Sequence, residues 1–186
     1  MKGTALRGRL RKTIVLVGMM GAGKTAVGQA LARLLGVAFL DSDEEIERAA
    51  ARSIPEIFAR DGEPFFRTKE TQVISRLLSG RPAVLSTGGG AFVAEGNRRM
   101  ITERGVSVWL DADPELLWQR VRHRSHRPLL QSANPRQTLI DLHAARSPAY
   151  SQADIHVRAL PHYAIEDTAR QVIAALDARP DVLEKK

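Results

Sequence analysis

Cysteine is absent from the 186-residue chain. That excludes a disulfide-stapled scaffold, a thiolate metal site and a cysteine nucleophile, and it fits a reducing cytoplasm. Long apolar runs are missing as well. Stretches such as 14–17 and 37–40 fall far short of the ~18 residues that a membrane helix requires. No internal repeat and no low-complexity linker divides the chain, and at roughly 150 residues per domain its length suits one domain. The first residues lack the apolar core of a secretion signal and are too serine-poor for a transit peptide. No exposed apolar stripe stands out, so a monomer is the expectation.

Acidic residues are missing from positions 1–12, which carry Lys2, Arg7, Arg9, Arg11 and Lys12. The net charge of +7 is therefore concentrated there, and the remainder of the chain holds only +2. A basic arm of this kind can touch nucleic acid, but more often it is a frayed, solvated terminus. The expectation is a flexible arm over 1–12, a single domain over 13–186, and no nucleic-acid partner. Apolar residues at 44% and charged residues at 26% are ordinary for a globular protein.

Within that domain, short apolar runs alternate with helical patterns. Strands are expected at 13–17, 37–40, 83–86, 106–110 and, weakly, 155–157. Helices are expected at 24–35, 43–51, 55–60, 68–78, 114–122, 139–146, 148–152 and 165–176. Such alternation argues for a parallel sheet with helices on both faces. The stretch 122–136 breaks the pattern: it is polar and basic and holds two prolines, which reads as a cation-bearing mobile lid.

The strongest motif follows the first of these strands. Gly18-Met19-Met20-Gly21-Ala22-Gly23-Lys24-Thr25 fits GxxxxGK[ST] between a strand and a helix. Its glycines let backbone N–H groups close on phosphate oxygens, and the helix adds its free N–H groups and dipole. Lys24 offers a point charge and Thr25 an oxygen for Mg²⁺. This pattern binds a nucleoside triphosphate.

Three further clusters are more ambiguous by themselves. Asp41 and Asp43, two residues apart at a strand's C-terminal end, can serve a hydrated Mg²⁺ and an attacking hydroxyl. A capping box with Ser42 as N-cap and Glu45 three residues on reads equally well. Arg67, near a helix start behind Phe65 and Phe66, is either a solvated cation or one held for an acidic ligand. Gly88, Gly89 and Gly90 permit close approach of a ligand to the backbone, or simply form a loop. No Asp ends the third strand, which leaves Asp41 as the metal-associated acid.

Taken together, GMMGAGKT, LDSDEEIE, SIPEIFARDGEPFFRTKE, STGGGA, HRPLL and ARSPAYSQAD resemble the shikimate kinase family, in the nucleoside-monophosphate-kinase-like group of P-loop proteins. The resemblance spans about 13–176. It implies a three-layer α/β/α P-loop kinase fold with a central five-stranded parallel sheet, a lid at about 122–136 and a substrate-binding helical segment at about 41–70. It also implies transfer of the ATP γ-phosphoryl group to the 3-hydroxyl of shikimate, on the way to chorismate and aromatic amino acids. By the same resemblance, Asp43 contacts the shikimate hydroxyls as base or orienter, and Asp41 assists Mg²⁺ through water. Arg67 and Arg146 hold the substrate carboxylate over Gly88, Gly89 and Gly90, and Glu70 supports those arginines. Gly21, Ala22, Gly23, Lys24, Thr25 and Ala26 bind ATP, Arg120 borders the adenine, and Arg127 reaches from the lid to the phosphates.

Two guanidinium forks select a carboxylate over a neutral polyol, which is the chemistry this reading needs. The departures are residues 158–163, where the family's adenine-facing loop is expected but is not clearly matched, the cation- and histidine-rich stretch 122–126, and the basic arm. A gluconate kinase of the same fold is the neighbouring enzyme reading, and a nucleotide-dependent regulatory protein is the reading from another class.

Overall fold

The computed structural model describes residues 8–123 and 131–185. The chain enters through β1 (Gly8–Leu10) and β2 (Thr13–Val17), followed by α1 (Lys24–Leu35), β3 (Phe39–Asp41), α2 (Ser42–Ala50) and α3 (Ile54–Leu78). Next come β4 (Val84–Ser86), a short 3₁₀ turn at Ala91–Val93, α4 (Glu95–Arg104) and β5 (Gly105–Asp111). The remainder is α5 (Pro114–Val121), α6 (Pro135–Tyr150), β6 (Ile155–Arg158), α7 (Ile165–Leu176) and β7 (Leu183–Lys185).

Five strands form one parallel sheet in the order β3-β4-β2-β5-β6. Every residue of β2, β4 and β5 is buried, as expected for strands covered by helices on both faces. The edge strand β6 instead alternates, with Ile155 and Val157 inside and His156 and Arg158 outside. Helices α1 and α7 pack on each other, as do α3 with α4 and α5 with α6. No helix among the described residues is long and apolar enough to cross a membrane.

Most expected elements form within a residue or two of their expected bounds, and α1 and α7 form over 24–35 and 165–176. Three differences have physical causes. The helices expected at 55–60 and 68–78 are one run, α3, bent where Gly62 takes φ 80° and ψ 171°. That conformation suits glycine and lets the chain resume a helix with Pro64 in its first new turn. The helices expected at 139–146 and 148–152 are likewise one, α6, which carries Pro148 within its last turn. At the start of α2 the cap is Asp41, whose Oδ1 accepts from the Asp43 and Glu44 amides at 2.9 and 3.3 Å. Ser42 is therefore a helical residue and not the N-cap, and Glu45 pairs with Arg48 and Arg76 instead.

The flexible arm expected over 1–12 needs correction at its inner end. Residues 1–7 lie outside the described residues, but β1 pairs antiparallel with β7, and Arg11 and Lys12 meet Glu184 and Asp181 at 2.7 and 3.2 Å. Leu10, Val182 and Leu183 are buried beneath this ribbon. Apolar burial, with two of the arm's cations paired to acids near the other end of the chain, fixes a segment whose local sequence reads as frayed.

Candidate active site

The site opens at the C-terminal ends of β2, β3 and β4, where parallel sheets collect ligands. Gly23, just before α1, has φ 94°, a left-handed conformation that a side chain would strain. The loop it ends curls around Lys24, whose ammonium donates to the Gly18 and Met19 carbonyls at 2.7 and 2.9 Å. Gly21, Ala22, Gly23, Lys24, Thr25 and Ala26 all line one cavity of about 780 Å³.

The opposite wall of that cavity holds Asp41, Asp43, Arg67, Glu70, Gly88, Gly89, Gly90 and Arg146. Four stretches far apart in sequence therefore meet. Each of the three glycines lies against a different functional side chain. A methyl group at Gly88 would stand 2.9 Å from Asp43 Oδ1, at Gly89 2.9 Å from Arg146 Nη1, and at Gly90 2.5 Å from Arg67 Nη2. Gly90 itself has ordinary right-handed helical angles, so its glycine serves space and not backbone freedom. The loop is anchored behind by Asn97, which donates to the Ala91 carbonyl at 2.9 Å and accepts from Thr71 of α3 at 2.8 Å.

Electrostatics divide the wall. Arg67 donates to Glu70 at 2.8 Å and to Glu63 at 3.2 Å. Burial alone would lower the Arg67 pKa, but these two acids outweigh it and raise it. Glu70 is fully buried, and burial pushes its carboxyl up while Arg67 and Arg146 pull it down. Asp43 is pushed up to about 6, first by burial, then by Asp41 and Glu70, with Lys24 opposing. Asp43 Oδ1 and Glu70 Oε1 are buried and have no hydrogen-bond partner among the described residues. Buried carboxylate oxygens without donors are costly, and two of them flanking Gly88 mark a place that a polar ligand completes.

The far end of the cavity lies where the family resemblance expects the adenine-facing loop and Arg120. Ala159, Tyr163, Ala164, Ile165 and Thr168 line it together with Arg120 and Gln29. Arg120 also donates to the Gly21 carbonyl at 3.2 Å, and burial lowers its pKa. Ala159 and Tyr163 of the segment 158–163, whose match to the family's adenine-facing loop is unclear from sequence, thus border the same cavity as the phosphate loop. Arg127 lies outside the described residues, as does the core of the expected lid, 124–130. At the lid's outer end, 135 and 136 already belong to α6, and Arg136 meets Glu115 at 2.9 Å.

A family model for shikimate kinase matches residues 20–177. The shikimate kinase of Cereibacter sphaeroides is 66% identical over 182 residues, covering 98% of this chain and 91% of that protein. The chain belongs to the shikimate kinase family. The family's activity is the ATP-dependent phosphorylation of shikimate, so the chain is a kinase of aromatic amino acid biosynthesis. A second relative, from Ruegeria pomeroyi, is 65% identical over 175 residues, covering 94% of this chain and 90% of its own. Among solved structures, the shikimate kinase from Acinetobacter baumannii in complex with shikimate aligns with a TM-score of 0.85 at 45% identity. It covers 90% of this chain and 93% of its own. The family's fold, a helix-flanked parallel sheet of five strands, is the one observed here.

Proposed function

We propose that this chain phosphorylates the 3-hydroxyl of shikimate with Asp43 as the group that orients the hydroxyl and accepts its proton. The observation that carries this reading is the convergence on Gly88, Gly89 and Gly90. Two guanidinium groups, Arg67 and Arg146, and the Asp43 carboxylate, whose buried Oδ1 has no hydrogen-bond partner among the described residues, all lean on that loop across the cavity from the phosphate loop. An acid bearing hydroxyl groups satisfies all three at once. The arginines take its carboxylate in paired hydrogen bonds, and Asp43 accepts from a hydroxyl. A carboxylate pushed up to about 6 is a better base than an ordinary one and is still largely ionised at pH 7.

The nucleotide lies along the other wall in this reading. Backbone amides of 21–26 and the start of α1 hold its phosphates, and Lys24 leaves its two carbonyl partners for phosphate oxygens. Arg120, Ala159, Tyr163 and Ile165 border the base. Phosphoryl transfer rests mainly on positioning and on neutralising charge across the phosphoryl oxygens, which Lys24 and, from the lid, Arg127 supply.

Mg²⁺ fits the oxygen donors present. Thr25 and Asp41 line the cavity, and Asp41 uses Oδ1 to cap α2. Among the described residues no cluster of three or more His, Cys, Asp or Glu side chains could hold a metal by itself. That suits an ion that is bound through one hydroxyl, substrate phosphates and water, with Asp41 acting through water. When bound, Mg²⁺ would neutralise phosphate charge.

The test is ADP release with ATP and Mg²⁺, offering shikimate, gluconate, a nucleoside monophosphate or no acceptor in parallel. Release with shikimate alone is expected. Comparable release with gluconate would assign the two-arginine wall to another acid, and binding of nucleotide without turnover would favour a regulatory role.

A further inference from the structure

Tyr150 is the largest fully buried side chain among the described residues, and its polar end lies where the two halves of the site meet. It sits four residues after Arg146, on the same face of α6. Its hydroxyl donates to the Gly89 carbonyl, and the Arg146 guanidinium faces the hydroxyl oxygen itself. A methyl group at Gly89 would lie 3.7 Å from this hydroxyl, 2.9 Å from Arg146 Nη1 and 3.7 Å from the Gly18 carbonyl, one of the two that hold Lys24. On the phosphate-loop side, the hydroxyl is 3.9 Å from Met19 Sδ. The ring is braced by Trp109 at 6.0 Å between centroids, and Trp109 is itself stacked on His156 at 4.4 Å.

A buried phenol with a carbonyl on one side and a guanidinium on the other has little freedom. Burial pushes its pKa up, against the pull of Arg146, so it stays a donor at neutral pH. The Gly89 carbonyl fixes where the hydroxyl points, and the oxygen in turn fixes where Arg146 can lie.

We infer that Tyr150 is a positioning residue for the acceptor, its hydroxyl holding Arg146 and Gly89 in the arrangement that receives the substrate carboxylate. The inference rests on the reading of Arg146 as a carboxylate ligand. It assigns Tyr150 no contact with the substrate. The hydroxyl acts through Arg146, and its loss weakens acceptor binding while sparing both the nucleotide and the chemical step.

A double-mutant cycle tests this, using Tyr150→Phe, Arg146→Ala and the double variant, with shikimate and ATP affinities measured by titration calorimetry alongside kcat and KM. Tyr150→Phe is expected to raise the shikimate KM and Kd about tenfold, as for loss of one charge-assisted hydrogen bond, with kcat and ATP affinity within about twofold. In the Arg146→Ala background the same change should cost no further shikimate affinity. A purely structural role would instead give additive losses, or weaken ATP and shikimate alike, and either result overturns the inference. If Tyr150→Phe does not fold, Tyr150→His, which keeps a ring and a donor, should restore folding with impaired shikimate binding. Wild-type shikimate affinity in that variant overturns the inference too. If Arg146→Ala alone leaves shikimate binding unchanged, the carboxylate-ligand reading is the one that fails.

Discussion

Arg67 donates at 2.8 Å to Glu70, a carboxylate that is only 1% exposed. The pair makes the acceptor wall possible, because a buried acid without its cation is strongly destabilising. It also gives one arginine two duties: its three nitrogens donate to Glu70 and Glu63, and the N–H groups left over on Nη1 and Nη2 face a ligand. Arg67→Ala should therefore lower stability by about 3 kcal/mol and weaken shikimate binding at least tenfold, with ATP affinity unchanged. Adding Glu70→Gln should recover most of the stability and none of the shikimate affinity. Urea melts and calorimetric titrations separate the two. Parallel recovery of both would mean that Arg67 supports the fold alone.

Asp43 links function to stability with a definite sign. Its carboxyl rises from 3.8 to about 6 in the folded protein, chiefly by burial, then through Asp41, Glu70 and Glu47 with Lys24 opposing. A raised folded-state pKa means that the protein's stability from this group is fully present below about pH 3.8 and lost as the pH climbs through about 6. Asp43→Asn removes that loss. At 1.36 kcal/mol per unit, the variant should gain up to about 3 kcal/mol over wild type between pH 4 and pH 8, while turnover falls at least a hundredfold. Thermal melts across that range check the sign. An advantage that shrinks as pH rises would contradict it.

Gly90→Ala tests the mould formed by the glycines. Its backbone angles accept alanine, but the new methyl would stand 2.5 Å from the Arg67 guanidinium. Since a guanidinium can swing aside more cheaply than a backbone, the fold should lose no more than about 1 kcal/mol. Shikimate KM should nevertheless rise about tenfold or more, with ATP KM unaltered. Steady-state kinetics and a melt on the same sample decide it.

Truncation of 1–12 should also be informative. Removing β1 takes away buried Leu10 and uncovers Val182 and Leu183. A loss of about 2–4 kcal/mol follows from burying roughly one to two aliphatic side chains fewer. Surface pairs such as Arg11 with Glu184 add little to that. Turnover measured well below the melting temperature should survive. Unchanged stability would show that the ribbon contributes nothing to the fold.

What the sequence reveals and hides follows from the range of the interactions. β2, the phosphate loop and α1 are local: a β-branched run, a glycine motif and Gly36, which closes the helix by donating to the Ala32 and Arg33 carbonyls. Those can be read along the chain. Helix α4 is hidden because it is almost wholly polar, with Ile101 and the buried Asn97 as its inward contacts. β1 and β7 are hidden because three-residue strands from opposite ends of the chain carry no periodicity of their own. For Tyr163 and Ile165 the resemblance gives the region, an adenine-facing loop at 158–163, but nothing local says which side chains there reach the cavity. Tyr150 was within reach: its spacing from Arg146 places both on one helix face, and only its burial and its bond to Gly89 required three dimensions.

The β1–β7 ribbon has a topological consequence. Gly8 stands opposite Lys185, so two residues near the ends of the polypeptide face each other across one antiparallel rung, about 5 Å apart between α-carbons. Between residues 8 and 185 the described backbone is in effect a nearly closed ring. A short glycine-rich linker from 185 to 8 would complete it, and the ring could then be reopened at an exposed turn such as 79–81 without changing the order of strands in the sheet.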